Sequence, residues 1–380
     1  MRVALVAPSY ARHTGGLGRH VGALASGLAR HGAHVEVLAQ DYEHGLPSVS
    51  EADGVVVRRF GGPTGEGRLA VATGLREHLR RTARSFDVVH LHGGHVPLAL
   101  AVMRAHPVLL VFTPHDASKR LSRWPYAHLT QVVVARAART LCTSDAEAKL
   151  VRAACPRAAT RVRVVPEAVD VAAIEAARAF AVDRTVVLAV GRLVRCQRID
   201  RAIAAMAGLD PPLTLVVVGD GPARRSLEAH AYDLEVSSQV RFVRRVSDAG
   251  LYRWLRTARA SVSLGDEQAF GPELLETLAA GLPVVASDTA VHRETASRVD
   301  GADVTLVSPE GSPFEVADAI AKAVSRGPTL RQPSPVPSRD SVVERILGLY
   351  ETLAGGTPVR AGNRAPHRAD HRTLDSVAGS

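Results

Sequence analysis

The chain has 380 residues, of which 46% are hydrophobic, 22% charged and only 4% aromatic. This is a globular composition, long enough for two domains with cores built from Val, Leu and Ala. A formal net charge of +9 favours acidic partners such as nucleotides or anionic lipid surfaces, and an arginine-rich composition accounts for the same excess. Cys142, Cys155 and Cys196 show neither metal-ligand nor disulfide spacing, as suits a reducing compartment. No run approaches the roughly 20 apolar residues of a membrane span, and the apolar start is too short for a signal core. The expected location is cytoplasmic, with peripheral membrane contact at most.

Val3–Ala7 is a continuous apolar run, as in a strand buried on both faces. A loop with His13-Thr14-Gly15-Gly16-Leu17-Gly18 follows. Val21, Leu24, Ala25 and Leu28 then mark a helix ended by Gly32, and Val35–Ala39 a second strand. Such a strand–glycine loop–helix unit lets a phosphate approach the backbone, although a plain tight turn explains the glycines equally well. Val55–Val57 is a strand, followed by a Gly61-Gly62-Pro63 loop. Leu69–Ala83 is a helix crowded with Arg76, Arg80 and Arg81, with Arg84 just beyond. Its basic face is a solvated surface or a contact for anionic lipid. The strands Phe86–His92 and Val108–Phe112 end in His92 and in Thr113-Pro114-His115. Polar residues past the carboxyl ends of parallel strands lie where open α/β sheets bind ligands. Lys119–Tyr126 is basic and aromatic, an acceptor surface or a loop anchored by Trp124. Leu141–Ser144 and Val162–Val165 complete this half, and Pro166-Glu167-Ala168-Val169-Asp170 is the crossover.

A second strand–helix alternation begins at Val186–Val190, followed by Gly191-Arg192. A helix runs through Ile199, Ile203 and Met206. The strands Leu213–Val218, Val240–Val243 and Ala260–Leu264 follow, with a helix through Leu251, Trp254 and Leu255. This alternation implies a second parallel sheet with right-handed crossovers. An Arg after a strand can clamp a phosphate with its fork of donors. Gln268-Ala269-Phe270-Gly271-Pro272-Glu273-Leu274-Leu275-Glu276 then reads as loop and helix start. Pro272 suits the first helical position, and Gly281 suits a left-handed helix stop before the strand Val284–Ala286. The helix N-terminus suits an anion such as a diphosphate, and Glu276 can accept hydrogen bonds from sugar hydroxyls. An ordinary surface helix with two solvated glutamates is the alternative. Leu306-Val307 closes the sheet, Phe314–Val324 is a helix, and Val342, Val343, Ile346, Leu347 and Tyr350 form a last amphipathic helix.

The stretch from Gln268 to Ser287 resembles the signature of glycosyltransferase family 4, retaining, metal-independent GT-B enzymes that use nucleotide sugars. The resemblance spans about residues 1–354. It implies an α/β fold of two Rossmann-like domains whose parallel sheets face a central cleft. The acceptor domain would cover residues 1–168 and the donor domain 169–336. A helix over 337–354 would cross back to the N-domain, and 355–380 would be a disordered tail. The resemblance implies His115, Gln268, Glu276 and Arg192 as catalytic residues. It implies donor binding by Gly15, Gly16, Arg192, Gln197, Arg245, Phe270, Gly271 and Glu276. In that assignment Arg192 neutralises the leaving diphosphate, Glu276 holds the ribose and His115 contacts the transferred sugar. No metal and no cofactor is expected beyond the nucleotide sugar, which is the substrate.

Several positions depart from the family pattern. Gln268 stands where relatives carry the first Glu, and Gln197 where they carry a Lys. Glu167-Ala168 replaces Asn-Gly. Arg244 replaces a Gly beside the nucleobase site, and Ala290-Val291 precede Glu294 where relatives have Gly-Gly. A Gln at 268 can hold a sugar hydroxyl but cannot offset positive charge. Two readings follow: a transferase acting on a glycan, lipid-linked or small-molecule acceptor, or a catalytically impaired homologue acting as a binding or partner subunit. A nucleotide-sugar epimerase of the same fold fits the central motif poorly. A nucleic-acid partner has only the basic charge behind it and is not expected.

Overall fold

The computed structural model describes residues 1–8, 10, 15–40, 47–60, 68–115, 121, 126–209, 213–265, 272–329 and 334–355. The N-terminal half forms one eight-stranded sheet. Its strands are β1 (Arg2–Ala7), β2 (His34–Gln40), β3 (Val49–Ala52), β4 (Val55–Phe60), β5 (Val88–His92), β6 (Leu110–Thr113), β7 (Arg139–Cys142) and β8 (Val162–Val164). They lie in the order β3-β4-β2-β1-β5-β6-β7-β8. Every pairing is parallel except β3 with β4. The helices are α1 (Gly15–Arg30), α2 (Arg68–Thr82), α3 (Val96–Ala105), α4 (Tyr126–Arg136) and α5 (Asp145–Ala154). The continuous apolar run of β1 has a direct cause. Val3, Leu5 and Ala7 enter the core under α1, while Ala4 and Val6 enter the opposite core with Leu75, Leu79 and Leu98. A strand covered on both faces has no side left for polar residues.

The C-terminal half repeats the plan. Its strands are β9 (Thr185–Val190), β10 (Leu213–Val218), β11 (Val240–Val243), β12 (Ala260–Ser263), β13 (Val284–Ser287) and β14 (Val304–Val307). All pair in parallel, in the order β11-β10-β9-β12-β13-β14. The helices are α6 (Val171–Ala176), α7 (Ile199–Met206), α8 (Arg224–Asp233), α9 (Asp248–Thr257), α10 (Pro272–Ala279), α11 (Ala290–Arg298) and α12 (Pro313–Arg326). Val187 and Ala189 point into one core, Val186 and Leu188 into the other. Ser144, Ser247, Thr289 and Ser312 cap α5, α9, α11 and α12 by accepting a backbone N–H three residues on. Gly281 ends α10 at φ 73, the left-handed stop that its position after Ala280 predicts.

The last helix, α13 (Arg339–Gly355), returns to the N-terminal half. Val342, Val343, Ile346 and Tyr350 share a core with Val21, Leu24 and Leu28 of α1. The Tyr350 hydroxyl lies 2.6 Å from His90 Nδ1, and Thr113 Oγ1 lies 2.8 Å from His90 Nε2. His90 is therefore a satisfied core residue, held far below the usual imidazole range by burial, at about 3. A second bridge joins the halves. Glu294 of α11 accepts N–H bonds from Asp145 (2.5 Å) and Ala146 (2.8 Å) at the start of α5. It spends its carboxylate on a helix N-terminus, where a negative charge is favoured.

Several elements differ from the sequence reading. The edge strand β3 and the helices α3, α4, α5, α6, α8 and α11 are additional. The Gly15–Gly18 segment is the first turn of α1 and not a loop. Leu17 fixes that turn by packing on Gly93, where an added Cβ would stand 3.4 Å from Leu17 Cδ1. Among the basic residues of α2, Arg80 and Arg81 bind Glu77 at 3.0 and 2.9 Å, which neutralises part of the expected lipid-facing charge. The 61–63 loop, most of the 119–126 stretch and residues 356–380 lie outside the described residues; Gly355, assigned above to a tail, ends α13.

The loops after β9 and β10 are pressed together. Leu193 N–H donates to Asp220 O at 3.0 Å, and a Cβ on Gly219 would sit 1.9 Å from Gly191 O. That neighbour is backbone and cannot swing away. Gly219→Ala is expected to cost about 2–3 kcal/mol in a denaturant melt. It should also displace the Arg192 segment.

Candidate active site between the two sheets

Two side-chain clusters meet where the halves face each other. The first is carried by the N-terminal half. His92 is the last residue of β5 and is fully buried. His115 follows β6 with its backbone held at φ 60. That left-handed conformation costs a non-glycine residue on the order of 1 kcal/mol, and such strain concentrates at functional positions. His92 Nδ1 and His115 Nε2 are 3.0 Å apart. His20, in the second turn of α1, stands edge-on to His115 with ring centroids 4.7 Å apart. Glu167 of the crossover closes the cluster. Its Oε2 lies 3.3 Å from His20 Nδ1 and its Oε1 lies 3.9 Å from His115 Nδ1. Glu167 is 4% exposed, so its charge acts in a medium that screens it weakly. Burial, helped by the neighbouring imidazoles, holds His92 well below the usual histidine range.

The second cluster joins the halves directly. Arg19 of α1 grips Glu276 of α10, with Nη1 donating to Oε2 at 3.3 Å and Nη2 to Oε1. Its Nε stands 3.2 Å from Asp248 Oδ1 at the start of α9, without hydrogen-bond geometry. Burial pushes the Glu276 carboxyl up to about 7, against the opposing pull of Arg19, and Glu273 and Asp248 add to the rise. Burial likewise raises Glu273, and the nearby Glu167 contributes. For Arg19, burial works downward and the Glu276 carboxylate outweighs it, so the guanidinium stays charged. The two clusters are thus one electrostatic unit: an arginine, several carboxylates and three imidazoles around the meeting point of α1, α10 and the crossover.

The residues named from the sequence fall as follows. His115 and Glu276 lie in this unit. Both oxygens of Glu276 already accept from Arg19, and each keeps a lone pair for a second donor. Gly15 and Gly16 open α1 ahead of Arg19 and His20, so they offer the N–H groups of a first helical turn. Arg192 is exposed directly after β9, and Gln197 packs on the same turn, its Oε1 3.5 Å from where a Gly191 Cβ would be. Arg245 is exposed between β11 and α9, three residues before Asp248. Glu294 is at the α5 interface described above, away from this unit's contacts. Gln268, Phe270 and Gly271 lie outside the described residues. Arg19, His20, Glu167 and Asp248 were not assigned to a site from the sequence. The one sequence signal for them was Glu167, which broke the family pattern at the crossover. A cavity of about 320 Å³ elsewhere is lined by Val164, Leu275, Arg298 and Arg345, among others, and by none of these residues.

Comparison with known proteins agrees with this architecture. The profile of Glycosyltransferase Family 4 matches residues 14–173, and that of Glycosyl transferases group 1 matches residues 170–335. The chain is 30% identical to the D-inositol 3-phosphate glycosyltransferase of Actinosynnema mirum, over 84% of this chain and 85% of that protein. It is 27% identical to the phosphatidyl-myo-inositol mannosyltransferase of Mycobacterium leprae, over 93% and 97%. Among solved structures, sucrose-phosphate synthase from Thermosynechococcus elongatus superimposes with a TM-score of 0.72 at 20% identity, over 93% of this chain and 96% of that one. With two parallel-sheet halves joined by a returning helix, and with both halves matched in chain order, the chain belongs to glycosyltransferase family 4 and has the GT-B fold.

Proposed function

We propose that the chain transfers a sugar, with retention of configuration, from a nucleoside diphosphate sugar to a hydroxyl of an inositol-type polyol. The observation that carries this reading is the Arg19–Glu276 contact beside the His115–Glu167 cluster. It brings a buried carboxylate one turn inside α10 within one site of an imidazole from the facing sheet. In the reaction the bond from the anomeric carbon to the diphosphate oxygen breaks. A bond from that carbon to the acceptor oxygen forms on the same face, and the acceptor proton passes to the leaving phosphate. Arg192 and the first turns of α1 and α10 offset the diphosphate charge, so no metal is required on the leaving group. Glu276 accepts from the ribose hydroxyls, and His115 donates to the transferred sugar. The polyol acceptor is suggested by the names of the two relatives above.

A thermal-shift screen of UDP, GDP and ADP with their common sugars tests the donor half of this reading. One nucleotide series is expected to stabilise the protein by a few kcal/mol at saturating ligand. Arg192→Ala should raise the donor Kd by about 10–100-fold, the loss of one charge-assisted contact. Stabilisation that Arg192→Ala leaves untouched would remove Arg192 from the donor site.

A further inference from the structure

Glycosyl transfer as proposed uses one imidazole of the cleft, and three cluster there among the described residues. One ring nitrogen from each of His20, His92 and His115 lies within 4.8 Å of the other two. We propose that these three histidines form a binding site for one divalent ion of the zinc class. Their chemistry selects the ion. Imidazole nitrogens suit zinc and its first-row neighbours, whereas magnesium and calcium take oxygen ligands. A tetrahedral ion with nitrogens at about 2.0–2.1 Å spaces its ligands roughly 3.4 Å apart. His92 Nδ1 and His115 Nε2 are already 3.0 Å apart, so ring rotation at His20 by an ångström or so completes the set.

The surroundings are those of a built site. Metal-ligating histidines characteristically turn their second ring nitrogen to a carboxylate, which fixes the ring and raises its basicity. Glu167 faces the Nδ1 atoms of both His20 and His115, at 3.3 and 3.9 Å. His92 is fully buried and offers Nδ1; unlike those of His20 and His115, its second nitrogen, Nε2, has no hydrogen-bond partner among the described residues. Occupancy would take His115 away from the sugar and so inhibit turnover. That consequence rests on the transferase reading; the binding does not.

The test uses the full chain stripped with a chelator and titrated with Co²⁺ and then Zn²⁺. The expected result is one ion per chain and the intense visible bands of tetrahedral cobalt. His20→Gln and His92→Gln should each weaken binding about tenfold or more, and Glu167→Gln by about 10–100-fold, while exposed His34→Gln leaves it unchanged. Circular dichroism checks each fold, and His20→Gln, at a partly exposed helix position, decides the matter if His92→Gln does not fold. Absence of the cobalt bands, or an affinity that His20→Gln leaves intact, overturns the proposal; the second result would point to other groups such as His367 and His371 near the C-terminus. The readout is spectroscopic, so it stands whether or not the chain turns over a donor.

Discussion

Glu276→Ala is expected to abolish measurable transfer, by at least about 100-fold, and to destabilise the protein by about 3 kcal/mol. The activity term follows from the donor role proposed for this carboxylate. The stability term follows from what is left behind. Glu276 is 3% exposed and supplies both oxygens that Arg19 contacts across the two halves. Without it the guanidinium keeps only Asp248, which stands at 3.2 Å without hydrogen-bond geometry. Glu276→Gln should behave differently, because it keeps one acceptor and removes a charge that burial disfavours. The pH dependence separates the two variants. The folded-state value of Glu276 is raised from 4.5 to about 7. A raised carboxyl adds stability that is fully present below the unfolded value and is lost as pH rises through the folded one. Wild type should therefore lose up to about 3 kcal/mol relative to Glu276→Gln between roughly pH 4.5 and 7. Urea melts of the three proteins across that window check this. A difference that grows in the opposite direction would mean that the Arg19 pair, and not burial, sets the ionisation.

Glu167→Gln is expected to lower kcat by about 100-fold while changing the donor KM little. Glu167 comes from the crossover and places its carboxylate between His20 and His115, close enough to Glu273 to raise that group as well. Its charge therefore lies at the meeting point of the two halves, where positive charge develops on the sugar in the proposed reaction. Gln268 stands where the family signature carries a Glu, and Glu167 where it carries an Asn. In sequence, each of the two positions thus carries the other's kind of group, an amide at 268 and a carboxylate at 167. The double variant Glu167→Gln with Gln268→Glu should accordingly recover part of the lost kcat. A purely structural Glu167 would instead show a lowered melting temperature, and the second substitution would bring no recovery. Steady-state kinetics with thermal melts of the same samples distinguish the two.

The fold was largely legible because burial on both faces writes itself into the sequence. Val3–Ala7 in β1, Val186–Val190 in β9 and Leu215–Val218 in β10 are unbroken apolar runs, as strands covered on both faces require. β3 escaped notice because Val49-Ser50-Glu51-Ala52 is an edge strand, mostly exposed, with one large apolar residue. α3 escaped because its apolar residues are nearly continuous and carry no helical period. Gly15 and Gly16 read as a loop on propensity, and tertiary packing of Leu17 overrode it. The site was legible only in part. His115 and Glu276 were marked by strand ends and by a helix start, which are local features. Arg19 and Glu276 are 257 residues apart, and His20 and Glu167 are 147 apart. No local pattern records such pairs; the packing of α1 against the crossover after β8 creates the second, and the meeting of the two halves creates the first.

The most direct test of the account is to incubate the purified chain with the nucleotide sugar that stabilises it and a polyol acceptor, and to read the anomeric configuration of the product by NMR. The account predicts transfer with the donor's configuration retained, lost in Glu276→Ala. An inverted product would contradict the proposed same-face reaction. Donor binding with no transfer to any hydroxyl and no hydrolysis would contradict catalysis itself, and would leave the chain a nucleotide-sugar-binding partner.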